Sequence, residues 1–179
     1  MIVGSGLGLG PWDVFHQGLS RQIGVSLGWV VVGVGLVVLL LWIPLRQMPG
    51  IGTISNALVI GPVIDATLAI LGRPGTMPAR AGLLVGGVVI NGIATGLYIG
   101  AGLGPGPRDG LMTGLAARGH SVRVVRTGIE LLVLSIGWLL GGTVGVGTVL
   151  YALSIGPLAH FFIPLLTVAK PASVPKIAR

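Results

Sequence analysis

Apolar residues fill this chain in long runs, and the polar residues between them fall in short clusters rich in glycine and proline. The run at 26–43 carries no charge and is closed by Pro44, Arg46 and Pro49-Gly50, which predicts a first membrane-spanning helix. Further spans are predicted at 52–71, interrupted at Gly61-Pro62, at 81–101, at 122–140, and at 146–168, broken at Gly156-Pro157 and Pro164. Two shorter segments, 11–23 and 107–118, each begin with proline at the first helical position and an acid at the third. A span needs about 20 apolar residues, so these polar segments are expected to be short interfacial or re-entrant helices.

The same pattern occurs twice. Gly4-Ser5-Gly6-Leu7-Gly8-Leu9-Gly10-Pro11-Trp12-Asp13 returns 96 residues on as Gly100-Ala101-Gly102-Leu103-Gly104-Pro105-Gly106-Pro107-Arg108-Asp109. Gly50-Ile51-Gly52-Thr53-Ile54, leading to Gly61-Pro62, returns 95 residues on as Gly145-Val146-Gly147-Thr148-Val149, leading to Gly156-Pro157. Two blocks in the same order at nearly the same offset make an internal duplication, with a period suited to membrane proteins built from half-repeats. The expected fold is all-α and polytopic: two inverted three-helix repeats, 1–73 and 80–169, followed by a basic cytoplasmic tail at 170–179.

Five spans are present on this plan, because the helix matching 81–101 has no counterpart before Gly4. The expectation is that coding sequence continues in frame upstream of Met1 through an apolar helix, or that a second copy fills the place in a homo-oligomer. The basic residues support opposite insertion of the halves. Arg46, Arg108, Arg118, Arg123, Arg126, Lys170, Lys176 and Arg179 fall on one face, and Arg21, Arg73 and Arg80 on the other. By the positive-inside rule the first face is cytoplasmic.

Composition agrees that the solvent for most of the chain is lipid. Only 8% of residues are charged and the mean hydropathy is +0.98, whereas soluble domains carry about 25% charged residues. The net charge of +7 is spread between apolar runs without aromatic interleaving, which argues against nucleic acid as a partner. Absence of cysteine removes disulfides, thiolate metal sites and a cysteine nucleophile. His16, His120 and His160 lack metal-ligand spacing, so neither a metal nor another cofactor is expected. The glycine blocks are not nucleotide fingerprints: no strand precedes them and no Gly-Lys-Ser/Thr follows. No nucleophile elbow or close carboxylate pair is present, and the chain is not expected to be an enzyme.

Six polar residues are the candidates for a substrate or ion pathway: Asp13, Asp109, Asp65, His160, Asn56 and Asn91. Asp13 and Asp109 would sit at equivalent third helical positions, as caps of the helix N-termini or as a proton or cation site. Asp65 and His160 are equivalent in the two repeats and intramembrane, where ionisable groups usually face a bundle interior; the alternative is that they are snorkelling or interface-level polar residues. Asn56 and Asn91 read first as interhelical hydrogen-bond partners. Arg126 and Glu130, four apart on one helical face, are expected to form a structural ion pair.

The motifs Gly8-Leu9-Gly10-Pro11-Trp12-Asp13, Gly18-Leu19-Ser20 and Gly50 to Ala57 with Gly61 and Asp65 resemble the YczE-like bacterial integral membrane proteins, which are similar to the YitT group. The resemblance covers nearly the whole chain and implies a multi-spanning inner-membrane protein, with no substrate attached to it. The sequence thus points to a small-solute transporter or permease-like protein in the lipid bilayer, with a solute or ion site at the repeat interface. The alternative is a non-transporting scaffold or regulator of a partner complex.

Overall fold

A computed structural model describes residues 1–72 and 74–167. Among these the regular structure is entirely helical: α1 (Ile2–Ser5), α2 (Pro11–Ile23), α3 (Leu27–Leu45), α4 (Ile51–Leu71), α5 (Met77–Gly100), α6 (Pro107–Ala116), α7 (Val122–Leu139) and α8 (Val146–Leu166). Arg73, Lys170, Lys176, Arg179 and the end of the fifth predicted span lie outside the described residues.

Four helices, α3, α4, α5 and α8, are long and apolar enough to cross a membrane. The 18-residue α7 carries Arg123, Arg126 and Glu130 in its first half. The interruptions expected at the Gly-Pro pairs do not occur, since α4 runs through Pro62 and α8 through Pro157 and Pro164. Proline disfavours helical backbone in its predecessor by striking that residue's Cβ, and Gly61 and Gly156 have none. What remains is one missing N–H in α4 and two in α8, where Pro164 follows Ile163 and has no such relief.

Glycine sets how closely the helices approach. On α5, Gly92, Gly96 and Gly100 recur every fourth residue and receive Leu158, Phe162 and Leu166 of α8; a Cβ at Gly92 would stand 2.7 Å from Leu158 Cβ. Where α3 crosses α4, Gly28 and Gly61 meet backbone to backbone, so that a Cβ on either would collide with the other's carbonyl oxygen.

Each glycine-rich block seats on the first turn of a helix from the other half. Leu7 O accepts from Gly147 N–H of α8 at 2.8 Å, and Leu103 O accepts from Gly52 N–H of α4 at 3.1 Å. Gly8 (φ 122°) and Gly104 (φ 110°) make the turns that bring these carbonyls round, and a Cβ on Gly8 would lie 2.8 Å from Gly145 N. Thr53 and Thr148 lock the two joints. Thr148 Oγ1 accepts from Leu9 N–H and Gly145 N–H, each at 3.2 Å. Thr53 Oγ1 accepts from Gly50 N–H at 3.2 Å and donates to Pro105 O at 2.7 Å. Proline at the place of Leu9 has no N–H to give, and the threonine hydroxyl turns to its carbonyl instead.

Candidate solute site

The site is built from two half-length helices that meet head to head. The C-terminal end of α2 lies beside the start of α3, where Ser20 Oγ donates to Val25 O. The C-terminal end of α6 lies beside the other end of α3: Arg118 Nη2 donates to Pro44 O at 2.6 Å, and Gly114 faces Gln47. Their N-termini come together between these levels, with Arg108 Cζ 5.1 Å from the centroid of the Trp12 ring. At about 1.5 Å per residue, α2 and α6 together measure roughly 34 Å against about 28 Å for α3, so the two halves replace one continuous span.

Two helix N-termini facing each other concentrate positive potential, about half an elementary charge apiece, and Arg108 adds a full one. The first-turn acids Asp13 and Asp109 answer it. Neither carboxylate accepts from a backbone N–H of its own helix, and the N-cap residues, Gly10 and Gly106, have no side chain to offer. The acids instead meet side chains. Asp13 Oδ1 lies 3.8 Å from His16 Nδ1 and 4.0 Å from Arg108 Nη2. Asp109 Oδ2 accepts from Tyr98 Oη, with Asn56 Nδ2 close by across Gly106. These groups gather close around Gly106, where a Cβ would stand 3.3 Å from Asp109 Oδ2, 3.7 Å from Asn56 Nδ2 and 3.8 Å from Tyr98 Oη.

His16 is 1% exposed, and its Nδ1 sits 3.4 Å from Arg108 Nη2. The Tyr151 ring lies against Gly10, and its hydroxyl accepts from Asn91 Nδ2 at 2.9 Å. Trp12, 9% exposed, carries an indole N–H without a hydrogen-bond partner among the described residues. The centre therefore offers both charges, the neutral hydrogen-bonding side chains of Asn56, Asn91, Tyr98 and Tyr151, the His16 imidazole and one free donor.

Of the sequence candidates, Asp13, Asp109, Asn56 and Asn91 come to this centre. Asp65 does not: it sits at the N-terminus of α3, accepting from Ser26 Oγ at 2.5 Å and Gly28 N–H at 2.8 Å. His160 is exposed on α8. Arg126 Nε and Glu130 Oε1 are 3.0 Å apart. Arg108, counted by sequence with one membrane face, is half-buried at the meeting point. Sequence reasoning missed Arg108, His16, Trp12 and the only two tyrosines, Tyr98 and Tyr151. One signal was available: Arg108 is the charged replacement of Trp12 within an otherwise matched Pro-x-Asp block.

Long apolar helices around a discontinuous helical pair with a polar centre define a helical membrane protein. Residues 1–164 match the family described as a family of unknown function, DUF6198, and the chain belongs to it, within the YczE-like group. An uncharacterized protein of Haemophilus influenzae is 42% identical over 93% of this chain and 77% of its own length. The uncharacterized membrane protein YczE of Bacillus subtilis is 38% identical over 91% of this chain and 77% of its own length. YyaS, another uncharacterized protein of that bacterium, is 28% identical over 92% of this chain and 85% of its own length. No solved structure matches.

Proposed function

We propose that this chain is a multi-pass protein of the bacterial cytoplasmic membrane that moves a small polar solute, and that it is neither an enzyme nor a cofactor binder. In this reading α7 is the fifth span, and the two halves are inverted repeats related by an axis passing between Trp12 and Arg108. The loop at Arg46 faces the cytoplasm and the 73–80 loop faces out. The observation that carries the reading is the meeting of the α2 and α6 N-termini around Asp13, Arg108 and Asp109. Paired half-helix ends place fixed dipoles at mid-membrane, where a solute loses its water, and alternating access rocks the halves about that point. With both carboxylates ionised, two helix ends of about half a charge each and one guanidinium roughly balance them, which favours a neutral or zwitterionic solute. Arg108 would hold an acceptor group, Asp13 and Asp109 a donor or cation, and the Trp12 indole N–H a further acceptor.

The test is uptake into proteoliposomes from a panel of small neutral and zwitterionic solutes. Asp13→Asn should cut uptake at least about tenfold, a loss near 1.4 kcal/mol, while the protein keeps its size-exclusion profile. Uptake equal to wild type in that variant, or no movement of any solute by the wild type, would sink the proposal. Orientation is read separately, because the chain has no native thiol: a cysteine placed at Thr76 should label from outside intact cells.

A second reading, a scaffold or regulator within a partner complex, draws on an apolar groove of about 850 Å³ between α3 and α7, floored by Trp12 and Leu111. A scaffold would tolerate Asp13→Asn and fail when Val34 or Leu132, in the groove wall, is made polar.

A further inference from the structure

A cavity of about 310 Å³ lies at the end of the molecule where α2 finishes and α5 begins, bordered by Ser5, Gly6, Gln17, Arg21, Arg80 and Thr143. We propose that it is a binding site for a small oxyanion, a phosphate or carboxylate group, held between Arg21 and Arg80. This does not rest on the transport reading, since it lies outside the centre formed by Asp13, Arg108 and Asp109.

Two guanidinium groups line one small cavity, and no Asp or Glu side chain pairs with them among the described residues. The chain's acidic residues number four and all are placed elsewhere. Asp13 faces Arg108 and His16, Asp65 caps α3, Asp109 takes the Tyr98 hydroxyl, and Glu130 pairs with Arg126. Among the described residues the arginines bind neutral oxygen and sulfur. Arg80 donates to Ser5 O at 2.6 Å, to Gly6 O at 3.1 Å and to Met77 Sδ at 3.7 Å. Arg21 donates to Gly141 O and to Thr143 Oγ1. These bonds fix the planes of both forks while leaving N–H groups on each uncommitted. Gln17 adds to the donor set: its Oε1 is taken by Thr143 N–H at 2.7 Å, which leaves its NH₂ free to donate. Like charges sharing a cavity repel, and an anion between them removes that cost while making charge-assisted bonds to pre-oriented donors.

In the other half the places of Gln17, Arg21 and Thr143 are held by Thr113, Ala117 and Met48.

The anionic group could arrive on a free small molecule or on a lipid headgroup, and two arms separate these. In the first, inorganic phosphate is titrated against the purified chain in phosphatidylcholine nanodiscs by calorimetry. In the second, thermal stability is compared between phosphatidylcholine nanodiscs and nanodiscs containing phosphatidylglycerol, without phosphate. Saturable phosphate binding that Arg21→Gln weakens by about tenfold or more, the loss expected when a charge-assisted contact is removed, supports the free anion. Stabilisation by phosphatidylglycerol alone, lost in Arg21→Gln, supports the headgroup. Arg118→Gln, at the opposite end of α3, should leave both readouts at wild-type level, and Arg21→Lys should keep most of the effect. The proposal falls if the wild type shows neither effect, or if Arg21→Gln and Arg118→Gln change the readouts equally.

Discussion

The α3–α4 pair and its sequence counterpart, α7–α8, start from matched blocks and end with different packing. In the first, Gly28 lies on Gly61, and Asp65 reaches across to the α3 N-terminus at Ser26 and Gly28. In the second, the residues at those places are Arg123, Gly156, His160 and Ser121, and no atom outside its own helix backbone comes within 4 Å of a Cβ built on Gly156. A close crossing needs small residues on both helices, and the Gly28 position is Arg123 on α7. Helix α8 packs on α5, whose glycine stripe accepts its large side chains, whereas α7 packs on α2 at Gly137.

The largest effect should come from spoiling the crossing that only one half has. Gly28→Ala puts a methyl group into the Gly61 carbonyl, and overpacking of this kind costs about 1–3 kcal/mol. Gly156→Ala meets open space and should stay within about 0.5 kcal/mol of wild type. Thermal unfolding in one detergent compares the two directly. If both substitutions destabilise alike, the contrast between the pairs is lost.

Where the halves do agree, at the joints between glycine block and helix start, a finer difference is expected. Thr148→Val strands two N–H donors, those of Leu9 and Gly145, while Thr53→Val strands one N–H, of Gly50, and one carbonyl, of Pro105. Each lost bond is worth about 1 kcal/mol, and an orphaned N–H is the less tolerated vacancy because a carbonyl keeps a second lone pair for another donor. Both variants should be less stable by about 1–3 kcal/mol, with Thr148→Val the worse. The reverse ranking would mean that the locks do not work as the hydrogen bonds imply.

The helices were legible because lipid demands long apolar runs and proline with an N-terminal acid marks helix starts: 11–23 was read to the residue, and 107–118 began where α6 begins. The breaks at the two Gly-Pro pairs were misread because the pattern registers the lost N–H but not that glycine before proline relieves the clash, and the continuity of α8 through Pro164, which follows Ile163, has no such explanation. Of the centre, Asp13, Asp109, Asn56 and Asn91 were visible as polar residues in apolar surroundings. Arg108 and His16 were not, since their partners come from the opposite half and no local spacing announces a contact across some 92 residues of chain. The same limit hid Asp65. Its depth in the sequence suggests the membrane interior, and only the packing of α4 on α3, with Gly61 against Gly28, brings it to the end of another helix.

The smallest effect concerns this last residue and its counterpart. Asp65 serves α3 as an N-terminal cap supplied from a neighbouring helix, satisfying the Gly28 N–H that has no partner within α3 and binding the hydroxyl of the N-cap Ser26. Removing a capping oxygen costs about 1 kcal/mol, whereas asparagine caps nearly as well as aspartate. Asp65→Ala should therefore lose about 1 kcal/mol and Asp65→Asn only a few tenths. His160→Ala should change nothing measurable, because His160 is exposed and donates to no helix end. These values would be read from denaturation midpoints, with uptake measured alongside. Asp65→Asn that folds like wild type but no longer transports would return Asp65 to the solute path and refute its role as a cap alone.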